Sequence, residues 1–122
     1  FYIDEIIITK NDKISKKIEK KLTNYRLEDI NKKKYSIKIS SENNEIIISK
    51  DSKGDPLIYE IQIESNLEII IENKTQHKIK LSEKFNFNNQ SNKFELKQYK
   101  KKIEQNLIDI ISEKLIIRLQ SL

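Results

Sequence analysis

Cysteine is absent from this sequence of 122 residues, and disulfides, thiol nucleophiles and zinc ribbons are excluded with it. Methionine, tryptophan, valine and alanine are missing too, and glycine, proline and histidine occur once each. A single glycine rules out the phosphate loops that need several. A lone histidine cannot be built into a Ser-His-Asp set with the partners in view, nor into a cluster of imidazole ligands. No stretch approaches the ~18 apolar residues of a membrane-spanning helix, and no signal peptide is visible. Because the sequence contains no methionine, we expect a processed or trimmed chain, with a signal and an anchor ahead of Phe1.

What is present is equally skewed. The apolar residues are almost all isoleucine and leucine, and the polar ones mostly lysine, asparagine, glutamate and serine. Such an alphabet reflects codon bias, so patterning says more than composition. Hydrophobic residues make up 36% and charged residues 35%, in a length that fits one domain, residues 1–122. The net charge of +5 and pI of about 9.2 favour anionic partners such as nucleic acid, anionic lipid or phosphorylated glycolipid. The charges interleave in short blocks, however, as a solvated surface also would.

Residues 2–10 read as a short β-branched strand, after which Asn11 or Asp12 can cap a helix. Ile14, Ile18, Leu22 and Tyr25 make one apolar stripe, with lysines on the other side. From Tyr35 the period becomes two: Tyr35, Ile37 and Ile39 alternate with polar residues. The pattern resumes at Ile46 and Ile48, which suggests a bulge near Asn43-Asn44. Gly54 and Pro56 mark the clearest turn. Alternation then runs from Leu57 to Ile71, either one long strand or one broken at Ser65-Asn66. After a polar turn it continues through Ile79, Leu81, Phe85 and Phe87. Asn92 and Glu95 resemble a capping box. Leu96, Tyr99, Ile103, Leu107 and Ile110 open a helix of roughly 28 residues, ~42 Å long. Its second half is apolar on more than one face. The order β-α-β-β-β-α predicts an α+β, two-layer sandwich, with a four-stranded, mostly antiparallel sheet and two helices packed on one face.

This order, and several local features, resemble the LptE family of lipopolysaccharide-assembly lipoproteins. The opening strand and amphipathic helix of Tyr2 to Tyr25 match the family, as does the long strand pair of Tyr35–Ile48 and Leu57–Ile71. So does the aromatic-polar stretch from Phe85 to Phe94 leading into a long terminal helix that carries Tyr99, Glu104 and Leu107 and closes on Ile117-Arg118-Leu119. The likeness covers essentially the whole chain, as a pattern of element lengths and apolar positions rather than one diagnostic motif. Two departures stand out. The family is lipidated on a cysteine at the start of its mature chain, and its helices usually carry alanine; this sequence has neither residue. The resemblance implies the soluble body of an outer-membrane lipoprotein on the periplasmic side, anchored through a cysteine upstream. It implies a monomer within a heterodimer, plugging the LptD β-barrel and assisting its assembly. Lipopolysaccharide is the implied ligand, with no cofactor, metal, nucleic acid or catalysis.

Two candidate sites follow. Lys50, Lys53, Lys84 and Lys93 fall at the same edge of a meander and suit lipid phosphates as point charges; ordinary solvated lysines would look the same. On the terminal helix, Ile108, Ile111, Leu115 and Ile116 form an extra apolar face, open either to a protein partner or to burial against the first helix. His77 reads as an exposed strand residue. Glu60, Gln62 and Glu64 read as the solvated side of a strand. The alternative function is a basic α+β nucleic-acid-binding domain, suggested by the pI and by Tyr and Phe on strands. Tyr59 shares its face with Ile61 and Ile63, a core face, which weakens that alternative.

Overall fold

In the computed structural model, which describes residues 1–122, seven elements follow one another. They are β1 (Tyr2–Ile8), α1 (Lys13–Lys21), a 3-10 turn (Thr23–Tyr25), β2 (Lys34–Lys50), β3 (Pro56–Ile71), β4 (Thr75–Asn88) and α2 (Lys93–Gln120). The strands lie in sequence order in one sheet. β1 runs parallel to β2, reached through α1, and the other two pairings are antiparallel.

Alternation assigns the faces. Tyr35, Ile37 and Ile39 of β2 are buried on the helix side, with Ile61, Ile63, Leu67, Ile69 and Ile71 of β3 and Ile79 and Phe87 of β4. They join Ile14, Ile18 and Leu22 and six residues of α2 in one core. The residues between them, among them Lys38, Glu60, Gln62, Glu64, Lys78 and Lys80, form an open face.

β3 is one continuous strand. Ser65 stays in the inward phase and is buried, because its hydroxyl lies 2.8 Å from that of Ser41, itself 2.9 Å from Ser15 Oγ. The series ends on Asp12, whose carboxylate accepts from Ser15 N at 2.7 Å and from Ser41 N at 3.2 Å. Asp12 therefore caps α1 and also takes the β2 amide that lies just past the end of β1. No buried side-chain nitrogen or oxygen lacks a partner.

Three expectations change. No bulge forms at Asn43-Asn44: the register runs unbroken to Ile47 and shifts only between Ile47, Ser49 and Lys50. Ile46 consequently lies in the outward phase. The first strand ends at Ile8, since Asn11 turns the chain with a φ of 52°. The first α-helix ends at Lys21, and Tyr25 reaches the core edge from the 3-10 turn, where its ring stacks on Phe1 at 5.2 Å.

Tyr35 joins the two ends of the chain. Its ring stacks on Phe1 at 4.8 Å, and its hydroxyl donates to the Leu119 carbonyl at 3.0 Å. Burial pushes that hydroxyl above the usual tyrosine range. A raised pKa means that the folded state favours the neutral phenol. The resulting stability is complete below about pH 10 and is lost as pH rises through the folded value. Alkaline unfolding followed by circular dichroism should show this loss above about pH 10 in the parent, and a shallower one in Tyr35→Phe. In denaturant titrations, Ile108→Ala should cost ~2–5 kcal/mol as a core cavity. Ile117→Ala, at a position 64% exposed, should change stability by less than about 1 kcal/mol.

Candidate functional site

The β2–β3 turn is closed by Asp51, whose side chain accepts from the backbone N–H groups of Lys53 and Asp55 at 2.9 Å each. Gly54 has a φ of +88°, the left-handed region that a glycine occupies without strain. On the far side, Asn89 donates its backbone N–H to the Leu57 carbonyl and its side-chain amide to the Pro56 carbonyl, both at 2.9 Å. This ties the 89–92 loop to the turn. Asn92 then caps α2, accepting from Phe94 N at 3.0 Å and Glu95 N at 3.1 Å.

Lys50, Lys53 and Lys93 are thus brought to one end of the molecule. Lys84 is not: it pairs opposite Gln62, six residues or ~20 Å along β3 from Pro56, and lies on the open face. The shared end also carries Asp51 and Asp55, so its positive charge is diluted.

The apolar set on α2 needs a larger correction. Ile108, Ile111 and Leu115 are 0% exposed and belong to the core, and Ile116 is half-buried against it. They are consumed inside the chain by the sheet and by α1, so none of the first three is open to a partner. The exposed apolar residues of this helix are Phe94, Ile110 and Ile117. Ile110 lines a groove of about 290 Å³ between α2 and β4, together with Phe85, Tyr99, Ile103 and Leu107, with Lys102 at its rim.

The open face holds a basic group that we did not single out from sequence. Across the strands, Lys38 pairs opposite Glu68, and Glu68 opposite Lys78. Lys80 lies 3.3 Å from Glu64. Lys38, Glu68, Lys78 and Lys80, with Ser40 and Asn66, line a shallow depression of about 440 Å³. The signal was in the sequence: all three lysines stand in the polar phase of their strands.

The aromatics are turned away from that face. Tyr59 stacks on Phe87 at 5.5 Å, and Phe87 meets Tyr99 of α2 edge-on at 5.7 Å. Lys100 Nζ sits 4.6 Å over the Tyr59 ring. The open face therefore offers no aromatic platform for stacking bases. His77 is half-buried opposite Ile69, and no three His, Asp or Glu side chains converge as metal ligands would. No helix is long and apolar enough to cross a membrane.

This layered β-α-β-β-β-α body is an architecture used by bacterial lipoproteins. The rare lipoprotein B of Shewanella oneidensis superposes with a TM-score of 0.71 over 96% of this chain and 94% of its own, at 9% identity. A minor lipoprotein of Acinetobacter baumannii gives 0.68 over 94% and 87% at 10% identity. Lipoprotein B of Nitrosomonas europaea gives 0.64 over 94% and 79% at 12% identity. At such identities the likeness is one of fold. No family model matches the sequence, and no characterised protein matches it by sequence.

Replacing the carboxylate between two lysines tests how the open face is balanced. Glu68→Gln should lower stability by ~0.5–1 kcal/mol at low ionic strength, and by less in about 1 M salt. Parallel denaturation curves at the two salt concentrations would check this.

Proposed function

We propose that this chain is the globular body of an envelope lipoprotein of the LptE kind. In this reading it docks with the LptD barrel at the outer membrane, assists lipopolysaccharide assembly, and has no catalytic role. The observation that carries it is the sharing of one fold, over nearly the full length of both chains, with the Shewanella rare lipoprotein B. The surface supports it. Lysine, glutamate, asparagine and serine cover most of the exterior, as suits a body enclosed by a polar barrel lumen. Exposed apolar side chains are spread in small groups, the most exposed being Leu27 and Ile30 in the loop before β2, with others at the β2–β3 hairpin and along α2, which suits docking rather than membrane burial.

Within this reading, the turn with Lys50 and Lys53, and Lys93 beside it, meets the lipid phosphates. Lys84 stands apart and contributes least. Affinity capture from detergent-solubilised membranes of the native host should recover an outer-membrane barrel protein; its consistent absence would overturn the docking role. Purified Lys50→Glu/Lys53→Glu should bind lipopolysaccharide about threefold to tenfold more weakly than the parent at low salt, with the gap closing as salt rises. Equal binding at low salt would remove these lysines from the site.

A further inference from the structure

The three strands with an outer edge are treated differently. On β1, Arg26 donates from Nε to the Ile3 carbonyl and from Nη2 to the Asp4 carbonyl, each at 3.0 Å, covering the outer backbone at its irregularity. On β4, the residues whose backbone faces outward are the even-numbered ones, because Asn89 N bonds inward to Leu57 and fixes the phase. They include Lys78, Lys80 and Lys84, and lysines along an edge discourage the addition of another strand.

β2 is different. β1 accompanies it only as far as Ile39, whose carbonyl accepts from Thr9 N at 3.1 Å, and Asp12 takes the next outward amide, that of Ser41. Asn43, Glu45 and Ile47 follow in the same phase, so their amides and carbonyls face outward with neither strand nor helix beside them. This stretch carries no lysine before Lys50 and no proline. Ile46, Ile47 and Ile48 are 52%, 45% and 45% exposed. Above it runs the N-terminal half of α2, where Lys100 pairs with Glu45 at 2.6 Å and Glu104 contacts both Lys17 of α1 and Asn43 of β2. Lys97 stands seven residues earlier, on the same stripe of the helix, beyond the level at which α1 begins. Lys101 lies one turn on from it. Both are exposed, and neither takes part in any of the six ion pairs of the chain.

We propose that the outer edge of β2 from Asn43 to Ile47 accepts an extended segment of a partner protein as a fifth strand, with acidic side chains turned toward Lys97 and Lys101 and apolar ones beside Ile46. The backbone supplies the hydrogen bonds, and the alternate side chains supply selectivity. A second copy fits less well, because the Glu45 its edge would bring is already paired with its own Lys100 at 2.6 Å, whereas a partner segment brings free carboxylates to the unpaired Lys97 and Lys101. The proposal stands apart from the lipopolysaccharide reading and does not need it.

The probe is a short synthetic peptide of alternating glutamate and valine, followed by fluorescence anisotropy and by hydrogen exchange of the whole chain. It should bind and slow exchange at Asn43, Glu45 and Ile47. A lysine–valine peptide should bind about tenfold more weakly or not at all. Ile47→Pro removes an outward amide without touching the β3 ladder and should abolish binding. The surface variant Lys97→Glu/Lys101→Glu should weaken it about tenfold with unchanged thermal stability. Asn86→Pro, on the outer edge of β4, should leave it intact. Protection at β4 in place of β2, equal binding of both peptides, or no binding would overturn the proposal. So would a dimer in sedimentation with these amides protected before peptide is added, which would assign the edge to self-association.

Discussion

The alternation along β3 is the constraint on which the molecule rests. This strand has neighbours on both sides, and its inward residues from Ile61 to Ile71 are all buried. A slip of one residue would exchange that row for Gln62, Glu64, Asn66 and Glu68. The apolar row fixes the register of both hairpins and creates a single face that must be covered. α2 exists to cover it, and geometry limits how well. A strand rises about 3.3 Å per residue and a helix about 1.5 Å, so 28 helical residues span ~42 Å against ~53 Å for the 16 of β3. The shortfall shows at the hairpin end, where Ile47 and Leu57 remain about half exposed.

Most of this architecture was legible in the sequence because two periods dominate it. The 3.6 period of Ile103, Leu107 and Ile111 and the 2.0 period of β3 and β4 leave little room for another assignment. The open points and the misreading have physical causes. Whether β3 broke at Ser65 stayed open in the sequence, because a buried hydroxyl is costly alone and the hydroxyls of Ser41 and Ser15 that satisfy it come from distant segments. Asn43 looked like a bulge, but its side chain reaches Glu104 of α2 at 2.6 Å and keeps the strand in phase. On α2, one sequence holds two apolar faces, and helical periodicity does not reveal which one meets the sheet and α1. That left Ile108, Ile111 and Leu115 open either to a partner or to burial, and they lie in the core.

The functional surface was less legible for a related reason. Lysines in this alphabet are everywhere, and only the register separates a cluster from a scatter. It parts Lys84 from Lys50 and Lys53, and it gathers Lys38, Lys78 and Lys80 around Glu64 and Glu68. The unpaired half of β2 follows from the unequal lengths of β1 and β2, seven residues against seventeen. Strand lengths can be read from a sequence, but which strand borders which is settled by the crossover through α1.

Phe1, Tyr35, Leu119 and Leu122 line one hollow, so both ends of the polypeptide leave from the same pole. The β2–β3 turn occupies the opposite pole, at the far end of a ladder that holds its register from Tyr35–Ile71 to Ile47–Tyr59. Gripped at its ends, the molecule behaves as a stiff lever. Small rotations at that pole become wide sweeps of the tip without loosening any of the packing between them.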